Sequence, residues 1–371
     1  MRDLKDLLKK LYELKGSDLH LKAGQPPIFR INGKLTRSQE EPLTPQEIFE
    51  MFKSVLTEEK FSTFLKEKEY DFAIEEPSSG RFRANLFFQK NMPGGVFRYI
   101  PRKIPTIEEL NLPEVLKNLV KRKQGLILVV GPTGSGKSTT LAALINEINE
   151  NLPYNIITVE DPIEFIHTDK VSIINQREIG LDTNSWENAL KRALRQDPDC
   201  ILIGEMRDRA SISIAISAAE TGHLVLSTLH TNDAKQTIER IVDSFPHEAK
   251  EFVRHQLSLV LIAIISQRLC EKKDGSGRIA AIEVMINTPA IAKAISENQP
   301  DKIQSLIEDS ASFYKMQSLN QHLFKLVMDE HITEEEAIRV SNNPSDLKIK
   351  IRTAKAPKIE TQQPQKKERK F

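Results

Sequence analysis

The pattern of apolar and polar positions divides the chain into two parts with different organisation. Residues 1–99 contain amphipathic segments that predict an opening helix and a helix near residues 45–67, and short strand-like segments around IFRING, KLTR, RFRANLFFQ and GGVFRYI. The last two of these predict a hairpin. From about residue 114 onward, apolar strand-like runs (LILVV, NIITVE, CILIGE and HLVLSTLH) alternate with segments of helical period. Because that alternation is typical of a parallel sheet covered by helices, we predict a small α+β domain followed by an α/β domain.

Several segments outside the apolar runs complete the predicted organisation. Residues 100–113 contain Pro101, Pro105 and Pro113, and these prolines predict an interdomain linker. The α/β domain that follows is expected to cover residues 114–353. WENALKRALRQ and TIERIVDSF each place apolar residues on one helical face, which predicts packed helices. SISIAIS fits both strand and helix periods, and the α/β context favours a helix. Residues 354–371 are polar and basic without an apolar face, so we predict a disordered tail.

The turn after LILVV carries the most informative motif in the chain. Residues 131–138 spell GPTGSGKS, a complete G-x-x-x-x-G-K-[ST] phosphate-binding loop between a predicted strand and a predicted helix. Its three glycines let backbone N–H groups and the helix dipole face a β-phosphate, while Lys137 reaches the β/γ-phosphates and the Ser138 hydroxyl ligates Mg²⁺. The sequence therefore predicts binding of ATP or GTP. The predicted nucleotide-binding residues are Gly131, Pro132, Thr133, Gly134, Ser135, Gly136, Lys137, Ser138 and Thr139.

Acidic residues follow two of the other apolar runs, and a phosphate loop needs carboxylates to hold Mg²⁺ and orient water. CILIGE ends in Glu205, the position of a Walker B acid, although Glu replaces the more usual Asp. Coordination through a water accommodates that exchange, so Ser138 and Glu205 are the predicted metal ligands. TVEDPIEF supplies Glu160, Asp161 and Glu164 after another run. A solvated surface acid is the alternative for any one of them.

Basic side chains add two further candidates. His230 ends the fourth apolar run, where its imidazole can sense a γ-phosphate or contact a neighbouring subunit; a satisfied polar residue is the alternative. Arg81 and Arg83 share one face of a predicted strand, and Arg98 lies on the adjacent strand. These arginines are candidates for an arginine finger directed at a nucleotide on a neighbouring protomer, with surface solvation as the alternative.

Composition mainly excludes other classes of protein. The 371 residues suffice for two domains, and Lys+Arg 53 against Asp+Glu 52 gives a net charge of +1, which argues against a nucleic-acid-binding domain. Cys200 and Cys270 lie far apart, so neither a disulfide framework nor a zinc ribbon is expected, and a reducing cytoplasm is the simplest location. The opening helix is too charged for a signal peptide, and the longest apolar stretch, residues 257–265, is too short to span a membrane.

The motifs together resemble those of a known superfamily. GPTGSGKST, TVEDPIEF, LRQDPDCILIGEMRD and TLHTND occur in the order seen in the secretion and pilus motor ATPases, and the resemblance covers roughly residues 1–350. Within it the chain is most similar to the type IV pilus retraction ATPases, the PilT branch. Three features support that branch: the SDLHLKAGQPPIFRINGKL opening, the lack of an additional N-terminal domain, and the lack of the four-cysteine zinc motif of assembly ATPases.

The resemblance implies a RecA-like P-loop core with a parallel-rich sheet, preceded by a PAS-like domain over residues 1–99. It also implies a homohexameric ring that binds ATP and Mg²⁺ near subunit boundaries. By the same resemblance Glu164 is the water-activating glutamate, Glu205 is the Walker B acid, and His230 belongs to the family's His box. The three arginines Arg81, Arg83 and Arg98 are then the finger candidates.

The function implied by the resemblance is ATP-driven retraction of a type IV pilus, which disassembles the pilus and produces twitching motility. Such a motor lies in the cytoplasm at the inner-membrane base of the pilus machine and acts on a platform protein there. An accessory paralogue is the alternative, and a RecA-like nucleic-acid translocase or a small-molecule kinase is less favoured, because the charge is near neutral and no lid segment is apparent. One departure concerns residues 290–297, AIAKAISE, where Ala292 and Ser296 replace the arginines of the family's Ala-Ile-Arg-Asn-Leu-Ile-Arg-Glu segment. The departure puts the efficiency of retraction or a partner contact in doubt.

Overall fold

A computed structural model describes residues 2–31, 33–101 and 103–355 of the chain. These residues group into two compact units. The first contains the residues up to Ile104 together with Glu164–Ile166, and the second runs from Pro105 to Ile163 and from His167 onward. Within the described residues, no helix is long and apolar enough to cross a membrane.

The first unit is an antiparallel sheet with three helices. Its elements are α1 (Leu4–Glu13), β1 (Asp18–Lys22), β2 (Ile28–Ile31), β3 (Lys34–Arg37), α2 (Pro45–Lys53), α3 (Glu58–Glu67), β4 (Glu69–Glu76), β5 (Gly80–Gln89) and β6 (Met92–Ile100). The six strands follow the order β3-β2-β1-β6-β5-β4. The predicted hairpin is β5–β6, closed by Lys90 and Asn91 at φ 48° and 60°, as a tight two-residue turn requires.

Alternation along β5 separates a core face from a polar face. Phe82, Ala84 and Leu86 are buried, while Arg81 and Arg83 lie on the opposite face.

The single helix expected near residues 45–67 is instead two helices, α2 and α3. The side chain of Thr57 accepts a hydrogen bond from the backbone N–H of Lys60 and so starts α3 after a break in the chain.

The second unit is a seven-stranded sheet with helices around it. Its strands are β7 (Gly125–Val130), β8 (Asn155–Glu160), β9 (Ile173–Glu178), β10 (Cys200–Ile203), β11 (Leu224–Leu229), β12 (Leu261–Glu271) and β13 (Arg278–Ile286). Its α-helices are α4 (Val115–Leu119), α5 (Lys137–Asn151), α6 (Trp186–Ala193), α7 (Arg209–Glu220), α8 (Ala234–Asp243), α9 (Lys250–Val260), α10 (Pro289–Ser296), α11 (Ile303–Asp309), α12 (Ala311–Tyr314), α13 (Leu319–Met328), α14 (Glu334–Val340) and α15 (Pro344–Lys355). Short 3₁₀ turns cover His247–Ala249 and Pro300–Lys302.

The sheet order is β13-β12-β7-β11-β10-β8-β9, and every pair is parallel except β12–β13. The central strands β7, β10 and β11 are buried along their whole length, which explains why their sequences are mainly apolar. The α/β class with a parallel-rich sheet is therefore confirmed. SISIAIS lies in α7, in agreement with the helix that the context favoured. Cys200 and Cys270 are both buried free thiols.

Two boundaries differ from those predicted. Ile107 and Leu112 lie inside the predicted linker, yet both are buried in the core of the second unit. Pro105 and the residues after it therefore belong to that unit and not to a free linker. Ala354 and Lys355 lie in α15, so the predicted disordered tail does not begin at 354; the rest of it, residues 356–371, lies outside the described residues.

Candidate functional site

The phosphate-binding loop connects β7 to α5 and depends on its glycines. Gly131, Gly134 and Gly136 have φ of 148°, 79° and 89°, a region that glycine adopts without strain. A Cβ on Gly131 would lie 2.3 Å from the backbone oxygen of Gln267, and one on Gly136 would lie 2.8 Å from Gln267 Nε2. The loop therefore packs too closely for larger residues at these two positions and forms the backbone cradle that a phosphate group requires.

Lys137 is held at this loop by the loop's own carbonyl groups. Its Nζ donates to the oxygens of Gly131 and Pro132 at 2.8 and 3.0 Å. Burial lowers the pKa of the ammonium, and the charge of Glu205 acts in the opposite direction. The Ser135 hydroxyl is also buried, without a hydrogen-bond partner in the described part of the chain. A buried cation and an unpaired hydroxyl in a glycine-lined turn fit a phosphate-bearing ligand.

A chain of polar contacts links the loop to the ends of β10 and β11. His230 Nδ1 lies 3.5 Å from both Lys137 Nζ and Thr133 Oγ1, and His230 Nε2 lies 3.2 Å from Glu205 Oε1. Because a protonated amine lies near Nδ1 and a carboxylate lies near Nε2, the neutral ring favours the tautomer with its proton on Nε2. The structure thus brings together the predicted Lys137, Glu205 and His230.

Arg207, for which no role was predicted, extends this network. Its Nε donates to Glu205 Oε2 at 2.7 Å, and a second guanidinium nitrogen lies 3.5 Å from Asp161. The hydrogen bond to Glu205 raises the pKa of Arg207, and burial opposes that shift. Glu205 consequently faces a guanidinium on one oxygen and an imidazole on the other, and these two contacts orient the carboxylate. In the sequence, its position two residues after Glu205 was the feature that could have indicated a role for Arg207.

The other predicted loop residues lie at the start of α5. Ser138 is exposed in the first helical turn, Thr139 is half-buried next to it, and Thr140 is buried. In the described part of the chain, no group of three or more His, Cys, Asp or Glu side chains is arranged to hold a metal ion. A cation at this loop would accordingly depend on phosphate oxygens and water as well as on side chains.

The predicted arginines form a second group, on the polar face of the first unit. Arg83 and Arg98 pair directly across β5 and β6, and Arg81 lies two positions along the same face. Arg98 Nε donates to Asp18 Oδ1 at 2.8 Å, and Asp18 is buried. The buried carboxylate therefore fixes the Arg98 side chain, a partner that sequence reasoning did not identify. Glu164 is half-buried, and together with Phe165 and Ile166 it groups with this unit.

A buried carboxylate beside the His230 turn makes stability depend on pH. Glu283 on β13 accepts hydrogen bonds at Oε1 from the backbone N–H of Ala234 and from Ser266 Oγ, at 2.9 and 3.0 Å. Burial raises its pKa from 4.5 to about 7. Between pH 4.5 and about 7 the unfolded chain therefore loses the Glu283 proton while the folded protein keeps it. As a result, the free energy of unfolding falls as the pH rises through that range.

We expect Glu283→Gln to stabilise the protein above pH 7 relative to wild type, by roughly 3 kcal/mol at most, since an amide avoids the buried charge and can still accept both bonds. The difference in free energy of unfolding between Glu283→Gln and wild type should grow between pH 4.5 and 7. Urea unfolding at a series of pH values measures this difference, and Glu251→Gln, at an exposed position, is the control. A gain that does not change with pH would contradict the assignment.

Comparison with known proteins places the chain in a family. Residues 106–362 match the family model described as type II/IV secretion system protein. The chain is 45% identical to the type IV pilus retraction ATPase PilT of Pseudomonas aeruginosa, over 93% of this chain and 100% of the relative. It is 43% identical to the type IV pilus ATPase PilU of the same organism, over 94% of this chain and 91% of the relative.

The fold agrees with these sequence matches. A crystal structure described as the pilus retraction motor PilT with bound ADP superposes with a TM-score of 0.88, at 44% identity. The match covers 94% of this chain and 100% of the chain in that crystal structure. Since the family model matches most of the chain and both relatives match nearly all of it, the chain belongs to the type II/IV secretion system protein family.

Proposed function

We propose that the chain is a motor ATPase that couples ATP hydrolysis to type IV pilus retraction, and so to pilus disassembly and twitching motility. The observation that carries the proposal is the contact chain from Lys137 in the phosphate loop through His230 to Glu205. It occurs in a chain whose relatives over nearly the whole length are named pilus ATPases, one of them a retraction ATPase.

The phosphates of ATP bind to the cradle formed by residues 131–139, and Lys137 offsets their charge. Ser138 and Glu205 would hold Mg²⁺, and the chemistry that such an ion would supply is withdrawal of charge from the phosphate oxygens. Glu205 is suited to this because Arg207 and His230 contact its two oxygens and orient the carboxylate. Glu164, by its place in TVEDPIEF, accepts the proton of the attacking water.

His230 has a role that follows from its two nitrogens. With the proton on Nε2, the ring donates to Glu205 and presents Nδ1 to Thr133 and Lys137. A change in the position of Lys137, as the γ-phosphate is bound or released, is therefore transmitted to the carboxylate by one side chain. This contact is the means by which the site senses the state of the nucleotide.

The arginines complete the site from another protomer of a homohexameric ring. Arg81, Arg83 and Arg98 share one face of the antiparallel sheet, and such a cluster offers guanidinium groups to a neighbour's nucleotide. The ring lies in the cytoplasm at the base of the pilus machine and acts on an inner-membrane platform protein. If the site is shared, specific ATPase activity rises with protein concentration as rings assemble. Hydrolysis by isolated subunits at the rate of the ring would contradict a shared site.

An accessory retraction ATPase is the second candidate, and the surface of α10 is the observation that favours it. In α10 the buried face is Ile291, Ala294 and Ile295, whereas Ala292 and Ser296 lie half-buried outside it. The loss of both family arginines therefore leaves the packing of the helix intact and changes only what it presents outside its buried face.

Imaging labelled pili in cells that lack the chain separates these candidates. Complete loss of retraction, restored by the wild-type chain, supports the motor. Retraction that persists with lower force supports the accessory role. Unchanged retraction, together with stimulation of the purified ATPase by single-stranded nucleic acid, would overturn both and favour a translocase.

A further inference from the structure

Gln267 is a buried amide whose two ends both contact the phosphate-binding segment. It lies on β12, which pairs with β7, the strand that leads into the loop, and its side chain is almost fully buried. Nε2 donates to the backbone oxygen of Ser135 at 2.7 Å. Oε1 accepts from Thr140 Oγ1, also at 2.7 Å. One side chain therefore bonds to the loop and to the first turn of α5 at once.

The bond to Ser135 fixes the direction of a peptide group in the loop. The peptide between Ser135 and Gly136 is trans, so its C=O and N–H point in opposite directions. With the carbonyl held toward Gln267, the N–H of Gly136 points away from it. The bond from Thr140 sets the position of the helix N-terminus that follows.

Packing of two loop glycines against Gln267 reinforces this arrangement. A Cβ on Gly131 would lie 2.3 Å from the backbone oxygen of Gln267, and one on Gly136 would lie 2.8 Å from its side-chain Nε2. The first and last glycines of the loop thus pack against the same residue.

We propose that Gln267 is a positioning residue that holds the phosphate loop in its binding conformation before nucleotide arrives. The proposal rests on the nucleotide site proposed above. Gln suits the role because one end must donate to a carbonyl while the other accepts from a hydroxyl; a carboxylate lacks the donor, and a thioether lacks strong groups of either kind. Preformed order in the loop lowers the entropy lost on binding, and so favours affinity.

Hydrogen exchange on the full chain without nucleotide tests the proposal directly. In Gln267→Met we expect the amides of residues 131–140 to exchange faster than in wild type. The Kd for ADP should rise by about tenfold, since a buried hydrogen-bonded contact that orders the loop is lost. KM for ATP should rise more than kcat falls, because the groups that act in hydrolysis remain. Ser266→Ala is the matched control, because its buried hydroxyl bonds to Glu283 and not to the loop.

Thr140→Val tests the same positioning role with less risk to folding, because it removes only the hydrogen bond from Thr140 to Gln267 Oε1. We expect about a threefold rise in the Kd for ADP. Wild-type exchange and wild-type affinity in Gln267→Met would overturn the proposal. Should that variant fail to fold, the same result in Thr140→Val would overturn it. A wild-type chain that does not bind ADP would instead refute the nucleotide site itself, so the two failures are distinguishable.

Discussion

Replacing Lys137 with Ala is expected to raise the Kd for ADP and to reduce ATP hydrolysis by at least about 10² to 10³-fold, the typical loss when one preorganised donor is removed from a charge-stabilising site. Lys137 is buried and already carries a lowered pKa because of that burial, so the protein holds a cation there at a cost in solvation. In the proposed function, the phosphate oxygens of a bound nucleotide would supply the compensating negative charge. Isothermal titration calorimetry with ADP and a phosphate-release assay measure the two effects.

Lys123→Ala is the matched control for this variant. Lys123 is an exposed lysine just before β7, so its loss changes net charge equally without touching the loop. We expect both binding and hydrolysis to stay near wild-type values. Tight ADP binding by Lys137→Ala would exclude residues 131–139 as the nucleotide site.

In the second unit, the predicted strands include the three that are buried along their whole length. Strands β7, β10 and β11 are covered on both faces, so their sequences are mainly apolar and stand out from the segments around them. Strand β9 was missed because it is an edge strand with the polar sequence IINQRE. Strand β12 was missed because the apolar run at residues 257–265 spans the end of α9 and the start of β12 without a break in pattern.

The candidate site likewise has a part that was predictable from the sequence and a part that was not. The phosphate loop was predictable because all its residues are contiguous and its function depends on backbone conformation. The contacts of Gln267 with Ser135 and of Arg98 with Asp18 join positions 132 and 80 residues apart. No local pattern marks such pairs, since they arise only when the strands β12 and β7, or β1 and β6, come together. Sequence alone therefore indicates candidate ligand-binding groups more readily than the contacts that orient them.

Glu164→Gln is expected to lower kcat for ATP hydrolysis by about 10² to 10⁴-fold while leaving the Kd for ADP unchanged, because an amide cannot take the proton of the attacking water. Glu160→Gln is the control from the same segment: its carboxylate accepts bonds from Thr158 Oγ1 and Gln176 Nε2, and we expect at most a few-fold change. Steady-state hydrolysis and pilus retraction in cells should fall together in Glu164→Gln. Retained hydrolysis and retraction would remove Glu164 from the role of base, and a comparable loss in Glu160→Gln would assign the proton transfer to the segment's first acid instead.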